Sequence, residues 1–289
     1  MTTFLTEFTD KMIGSFDWVY KQIFFNVEWY DNYFYGLIII SLLVYSLEIV
    51  FPWRKTQKLI RKDFWLDGFY MFFNFFIFSS AISGLYFLVN NYYGGNVNQI
   101  ALFNIKEWPT WISLIIFFIL NDFVQWFTHV LLHRFNFLWQ FHKVHHSVKE
   151  MGFAAHLRYH WMENIFYKPF KTLVVMIIGG FEPEQAFIIH FITIAIGHLN
   201  HANVKITWGP LKYVFNNSVM HLWHHSKNLP SNRKHGMNFG ISLSLWDYIF
   251  NTNYIPHESG DIPIGFENDE HFPKSNFWKQ LIYPIGKKD

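Results

Sequence analysis

The chain has 289 residues, a formal charge of +2 and no cysteine, which excludes disulfides and iron–sulfur ligation. Aromatic residues make up 22% of it and charged residues only 15%, against about 25% in ordinary soluble domains. That balance, with no Arg/Lys stripe, excludes nucleic acid as a partner and points to an integral, multi-pass membrane protein.

Met1 to Asp31 carries acids early and has no basic start before an apolar core, so no cleavable signal is expected there. Ser15 to Tyr30 mixes Phe, Trp, Tyr and Val with a few charges, the composition of a helix lying among lipid headgroups. Three segments are apolar over the roughly 20 residues that a hydrocarbon core requires: about Tyr35 to Phe51, Gly68 to Asn90, and Trp111 to Val130. Thr172 to Phe181 and Ala186 to Gly197 are each too short for a straight crossing, and Glu182-Pro183-Glu184 between them is a natural turn. They are expected to form a hairpin that dips in and returns to the same side; the alternative is two tilted full spans.

Arg54, Lys55, Lys58, Arg61 and Lys62 crowd the first link, whereas 91–110 holds a single Lys106, so the first link is expected in the cytoplasm. Counting forward brings the third span out into the cytoplasm near His129. The resulting division is an interfacial helix and two spans at 1–110, a catalytic domain at 111–255 and a polar tail at 256–289. The expected fold is all-α, with three long spans and a short hairpin under a His-rich cytoplasmic lid.

Of the 16 histidines, 13 fall between positions 129 and 225. Three clusters stand out: His129 and His133; His142, His145 and His146; His221, His224 and His225. Residues three and four apart share a helix face, so each cluster aims two or three imidazoles one way. Converging imidazoles suit iron, zinc, copper or nickel rather than calcium or magnesium. Eight to ten exceed what one ion needs, and two ions with four or five each account for the number. Asp122 lies seven and eleven residues before the first pair, within about 40° on a helix, and is expected to accept an N–H from a ligating imidazole. His156 could ligate but reads more readily as a surface group or a neighbour of the ligands, ligation stays open for His198, and His190 reads as a hydrogen-bonded packing residue; His235, His257 and His271 read as solvent-exposed. The zinc-peptidase HExxH pattern, Gly-rich phosphate loops and the GxSxG elbow are absent.

From about Asp122 to Thr252 the chain resembles the integral-membrane fatty acid hydroxylase/sterol desaturase superfamily. The parts that carry the resemblance, in order, are an aspartate before HxxxH, LWQFHKVHHS at Leu138 to Ser147, and R-x-H-x-x-E at Arg158 to Glu163. HAN at His201 to Asn203, NxxxHxxHH from Asn217, NFG at Asn238 to Gly240, and WDYIF at Trp246 to Phe250 follow. Trp161 stands where the family usually has Pro, and Asn251 where it often has Gly. The resemblance implies a cytoplasm-facing nonheme di-iron oxygenase that uses dioxygen and two electrons, with zinc able to replace iron on overexpression. By the same resemblance the eight cluster histidines bind metal, and His160 and His201 are further ligands or close neighbours.

The leading reading is a lipid C–H hydroxylase taking its substrate from the bilayer; desaturation on the same centre is the runner-up. The chain has no haem-binding b5-type module, flavin fingerprint or ferredoxin cysteines, so a separate electron donor of cytochrome b5, ferredoxin or flavin reductase type is expected. A metal transporter would want its ligands near the bilayer midplane along a path, whereas these cluster at one end.

Overall fold

The computed structural model describes residues 2–81, 83–84, 101–179 and 186–285, and all regular elements among them are helical. Isolated bridges join Pro52 to Val204, Phe215 to Leu243 and Ser226 to Ile264 without forming a strand. Helix α1 runs Thr2–Ile23, earlier than the aromatic stretch alone suggested, and α2 runs Tyr33–Val50. Asn32 caps α2 by accepting from Tyr35 N. Helix α3 (Phe64–Phe72) continues through a π segment at Phe73–Phe78 to Ser79–Ala81. It covers the near part of the expected span Gly68 to Asn90; residues 82 and 85–90 lie outside the described residues.

Helix α4 (Thr110–Arg134) turns through the single extended residue Phe135 into α5 (Asn136–His146). The expected link from Arg134 to Gln140 is therefore mostly helix. Helices α6 (Trp161–Gly179) and α7 (Ala186–His201) are longer than the apolar stretches within them. At those ends Asn164 on α6 and His198, Asn200 and His201 on α7 are buried, facing the interior rather than water. The Glu182-Pro183-Glu184 turn falls outside the described residues. Short helices α8 (Ser218–His224), α9 (Leu245–Ile249) and α10 (Phe277–Leu281) follow.

Among the described residues two helices, α2 and α4, are long and apolar enough to cross a membrane. Leu42, Leu43 and Val50 on α2 are 58%, 63% and 64% exposed, an apolar face that suits acyl chains and fits membrane association. On the inner side Gly36 admits the Phe191 ring so closely that a Cβ would clash, which lets α2 and α7 pack backbone to ring.

Buried charges bind the segments between helices to α2 and α3. Glu48 on α2 accepts from Phe153 N at 2.9 Å and Asn203 N at 2.7 Å, tying together the loops after α5 and α7. Arg158 is fully buried and pairs with Asp67 at 2.8 Å while donating to Ser147 Oγ and the Lys274 carbonyl. Arg61 meets the same Asp67 at 2.6 Å. Losing one member of such a network leaves a buried charge unpaired, at a cost of about 3–5 kcal/mol.

Candidate metal centre

Nine imidazoles come together where α4, α5, α7 and α8 meet. His129, His133, His142, His146 and His224 form one group; His145, His201, His221 and His225 form another, with ligand atoms within each no more than 4.8 Å apart. The groups share walls: the rings of His146 and His225 are 4.4 Å apart, and those of His145 and His225 4.6 Å. Helical register explains this. His142, His145 and His146 ride one face of α5, and His221 and His224 one face of α8 with His225 capping its end, so each helix serves both groups.

Backbone carbonyls fix the tautomers. His129 Nδ1 lies 2.7 Å from Phe239 O, His145 Nδ1 3.0 Å from Arg158 O, His201 Nδ1 2.8 Å from Gly197 O and His224 Nδ1 2.9 Å from Met237 O. His142 Nδ1 faces Glu163 Oε2 at 3.3 Å. Carbonyl and carboxylate oxygens accept only, so each of these Nδ1 atoms carries the proton and each Nε2 presents a lone pair. Yet His129 Nε2 stands 3.2 Å from His142 Nε2, and His145 Nε2 3.3 Å from His201 Nε2. Two lone pairs that close in a dry interior repel, unless a cation lies between them. Two ligands on one ion with metal–nitrogen bonds near 2.1 Å sit about 3.0–3.4 Å apart, which fits. Nε2 of His133, His146 and His224, and Nδ1 of His221 and His225, are buried without a hydrogen-bond partner. The residues present therefore fit two metal ions.

Burial keeps these rings neutral, as ligation requires. It drives His145 down to about 3, helped by His142, and holds His146, His221, His224 and His225 well below the ordinary imidazole value, helped by neighbouring rings.

Other expected residues fall elsewhere. His160 stands outside both groups: its Nε2 lies 3.1 Å from Leu281 O, and its Nδ1 accepts from Met162 N, so it ties α6 to the C-terminal segment. His201, in contrast, sits inside the second group. Asp122 does not accept from an imidazole. Its oxygens accept from Ser242 N at 3.0 Å, Leu243 N at 3.2 Å and Trp246 Nε1 at 3.0 Å. The carboxylate reaches the centre through the 237–243 loop, whose Met237 and Phe239 carbonyls orient His224 and His129. His156 and His198 pair with each other, Nδ1 to Nδ1 at 2.9 Å, and join neither group. His235, His257 and His271 are exposed.

Asp247 escaped notice as a site residue. It accepts from Phe239 N, Gly240 N, Trp126 Nε1 and Thr252 Oγ1, clamping the same loop from the other side. Asn238, at φ 54°, donates to Met220 O and Tyr254 O. Their signal lay in NFG and WDYIF, short polar residues within an apolar run. Asn251 adopts φ 55°, a left-handed conformation open to Gly and tolerated by Asn.

Beside the histidines lies a cavity of about 160 Å³, lined by His129, His142, His145 and His201 together with Leu132, Leu157, Ile194 and Ile241. A larger cleft of about 960 Å³ reaches His133, His146 and His224 from another side, past Arg134, Lys143, Lys227 and Lys234.

Residues 114–252 match the fatty acid hydroxylase family model. An ornithine lipid hydroxylase, OlsE, of Rhizobium tropici is 29% identical over 183 residues, 63% of this chain and 53% of the relative. The alkylglycerol monooxygenase of Caenorhabditis elegans is 28% identical over 144 residues, 50% of this chain and 26% of the relative. That of Homo sapiens is 28% identical over 159 residues, 52% of this chain and 32% of the relative. The chain thus spans about half the length of the first of these relatives, and less of the other two. No solved structure matches the chain.

Proposed function

Through residues 114–252 the chain belongs to the fatty acid hydroxylase superfamily, and from that premise we propose that it is a membrane-bound nonheme di-iron oxygenase that hydroxylates a C–H bond of a lipid. The observation that carries the reading is the double imidazole group, with bare ring nitrogens facing one another and no protein proton between them. The reaction consumes one dioxygen, two electrons and two protons, and yields the hydroxylated lipid and one water.

His129, His133, His142, His146 and His224 hold one iron; His145, His201, His221 and His225 hold the other. The metals supply the dioxygen activation that an unactivated C–H bond demands, while the protein fixes geometry and keeps water out. Met237, Phe239, Arg158 and Gly197 hold the ring protons on Nδ1 and so keep each Nε2 aimed inward. Glu163 does the same for His142. The cavity beside the histidines admits the lipid from the bilayer. A separate protein of cytochrome b5, ferredoxin or flavin reductase type delivers electrons, and the centre faces the cytoplasm.

Lipid mass spectrometry of cells with and without the gene, grown under labelled dioxygen, tests this reading. A lipid that gains one labelled oxygen only when the gene is present supports hydroxylation; a product that only loses two hydrogens redirects it to desaturation. Purified protein is expected to hold about two metal ions per chain, iron or, after overexpression, zinc. Metal-free protein with no lipid change contradicts the proposal.

A further inference from the structure

The cavity beside the histidines is less apolar than its purpose requires. Asn164, Tyr167 and Lys171 follow one another at i, i+3 and i+7 along α6 and all line it, as do Gln125 on α4 and Thr193 on α7. Lys171 is the unusual member. It is partly buried within a helix that is otherwise mostly apolar, and its Nζ lies 5.6 Å from the Tyr167 ring. Among the described residues the carboxylate of Asp122 is the one charged group that acts on it, and no acid hydrogen-bonds to it. Asp122 is the acid whose field reaches it, but Ser242 N, Leu243 N and Trp246 Nε1 already take up both Asp122 oxygens. An ammonium held in an apolar interior is costly without an anion close by, and marks a binding function.

We propose that Lys171 is the seat for an anionic group of the lipid substrate, a carboxylate or phosphate, so that the cavity selects charged lipids over neutral ones. The inference rests on the oxygenase reading for its substrate, and it adds a distance. Glu163, which touches His142, is eight residues before Lys171, about 12 Å along the axis at 1.5 Å per residue. A lipid anchored at Lys171 presents to the histidines a carbon on the order of 12 Å from its charge, not one beside it.

Metal-loaded full-length protein in detergent, titrated with palmitate, hexadecyl phosphate and hexadecanol and followed by tryptophan fluorescence, tests the seat. Wild type is expected to bind at least one of the two anions about tenfold or more tighter than the alcohol, the scale of one charge-assisted hydrogen bond. Which anion is preferred distinguishes carboxylate from phosphate. Lys171→Met is expected to lose the preference while keeping its affinity for the alcohol, and Lys171→Arg to keep the preference. Equal binding of all three by wild type, or an undiminished preference in Lys171→Met, overturns the proposal. The wild-type comparison and Lys171→Arg decide the matter even where Lys171→Met does not fold. Binding is read without turnover, and metal content is measured on the same samples. An empty centre therefore counts against the oxygenase reading, separately from the anion seat.

Discussion

Asp122→Asn is the sharpest single change available. The carboxylate receives one N–H on Oδ1, from Ser242, and two on Oδ2, from Leu243 and Trp246. An amide in its place keeps one accepting oxygen, best spent on Leu243 and Trp246, and turns its NH₂ toward Ser242 N. One charge-assisted bond worth about 1.5–3 kcal/mol is lost, and an orphaned buried donor adds about 1–3 kcal/mol. The sum, about 2.5–6 kcal/mol, is a large share of a typical folding stability of about 5–15 kcal/mol. The strain falls on the 237–243 loop, which releases the carbonyls that orient His129 and His224. Metal retention should then drop by about 10–100-fold. Metal per chain, measured by mass spectrometry after graded chelator dialysis, and Tm by scanning fluorimetry read both effects. Trp246→Phe, which removes one donor, leaves the carboxylate two and orphans no buried donor, should cost only the bond itself, about 1.5–3 kcal/mol. Wild-type retention and Tm in Asp122→Asn would refute the reasoning.

Replacing any one of His145, His146, His224 or His225 with Ala should abolish lipid oxidation in cells; unchanged turnover removes that residue from the site. His201→Ala should lose metal from the second group, whereas His160→Ala should keep metal content and lower only Tm, which elemental analysis of the two variants separates. A methyl at Gly240 runs into Leu243 O and the Asp247 carboxylate. Gly240→Ala should therefore cost about 1–3 kcal/mol and be visible as a lower Tm. The stability of metal-free protein should also fall with acid. His145 titrates near 3 when folded and near 6.5 when unfolded, so the unfolded chain binds more protons between these values. Stability is full above about pH 6.5 and declines toward pH 3; a Tm that rises on acidification through that window contradicts the burial of His145.

The histidine faces were legible because helical spacing is local: i, i+3 and i+4 place rings on one side whatever the tertiary fold. The distinction between His160 and His201 was not. Both precede motif residues, yet one faces the Leu281 carbonyl and the other Nε2 of His145 and His221, which only the folding back of the C-terminal segment and α7 decides. Asp122 was recognised as a buried acid beside the site, but its partners are 120 residues away, in a loop that no periodicity foretells. Glu48 was unread for a related reason. In an apolar run it looks like an intrusion, and it makes sense only when Phe153 N and Asn203 N arrive beside it. Helix ends at α6 and α7 were missed because hydropathy records where lipid could be, not where a polar residue turns inward to a cavity.

The most direct test of the dinuclear centre is anomalous diffraction at the iron and zinc edges from crystals of the purified protein. Two peaks are expected, one inside the ring of His129, His133, His142, His146 and His224 and one inside that of His145, His201, His221 and His225, each with nitrogen neighbours about 2.0–2.2 Å away. A single peak, or ions bound by other side chains while these nine rings stay bare, contradicts it.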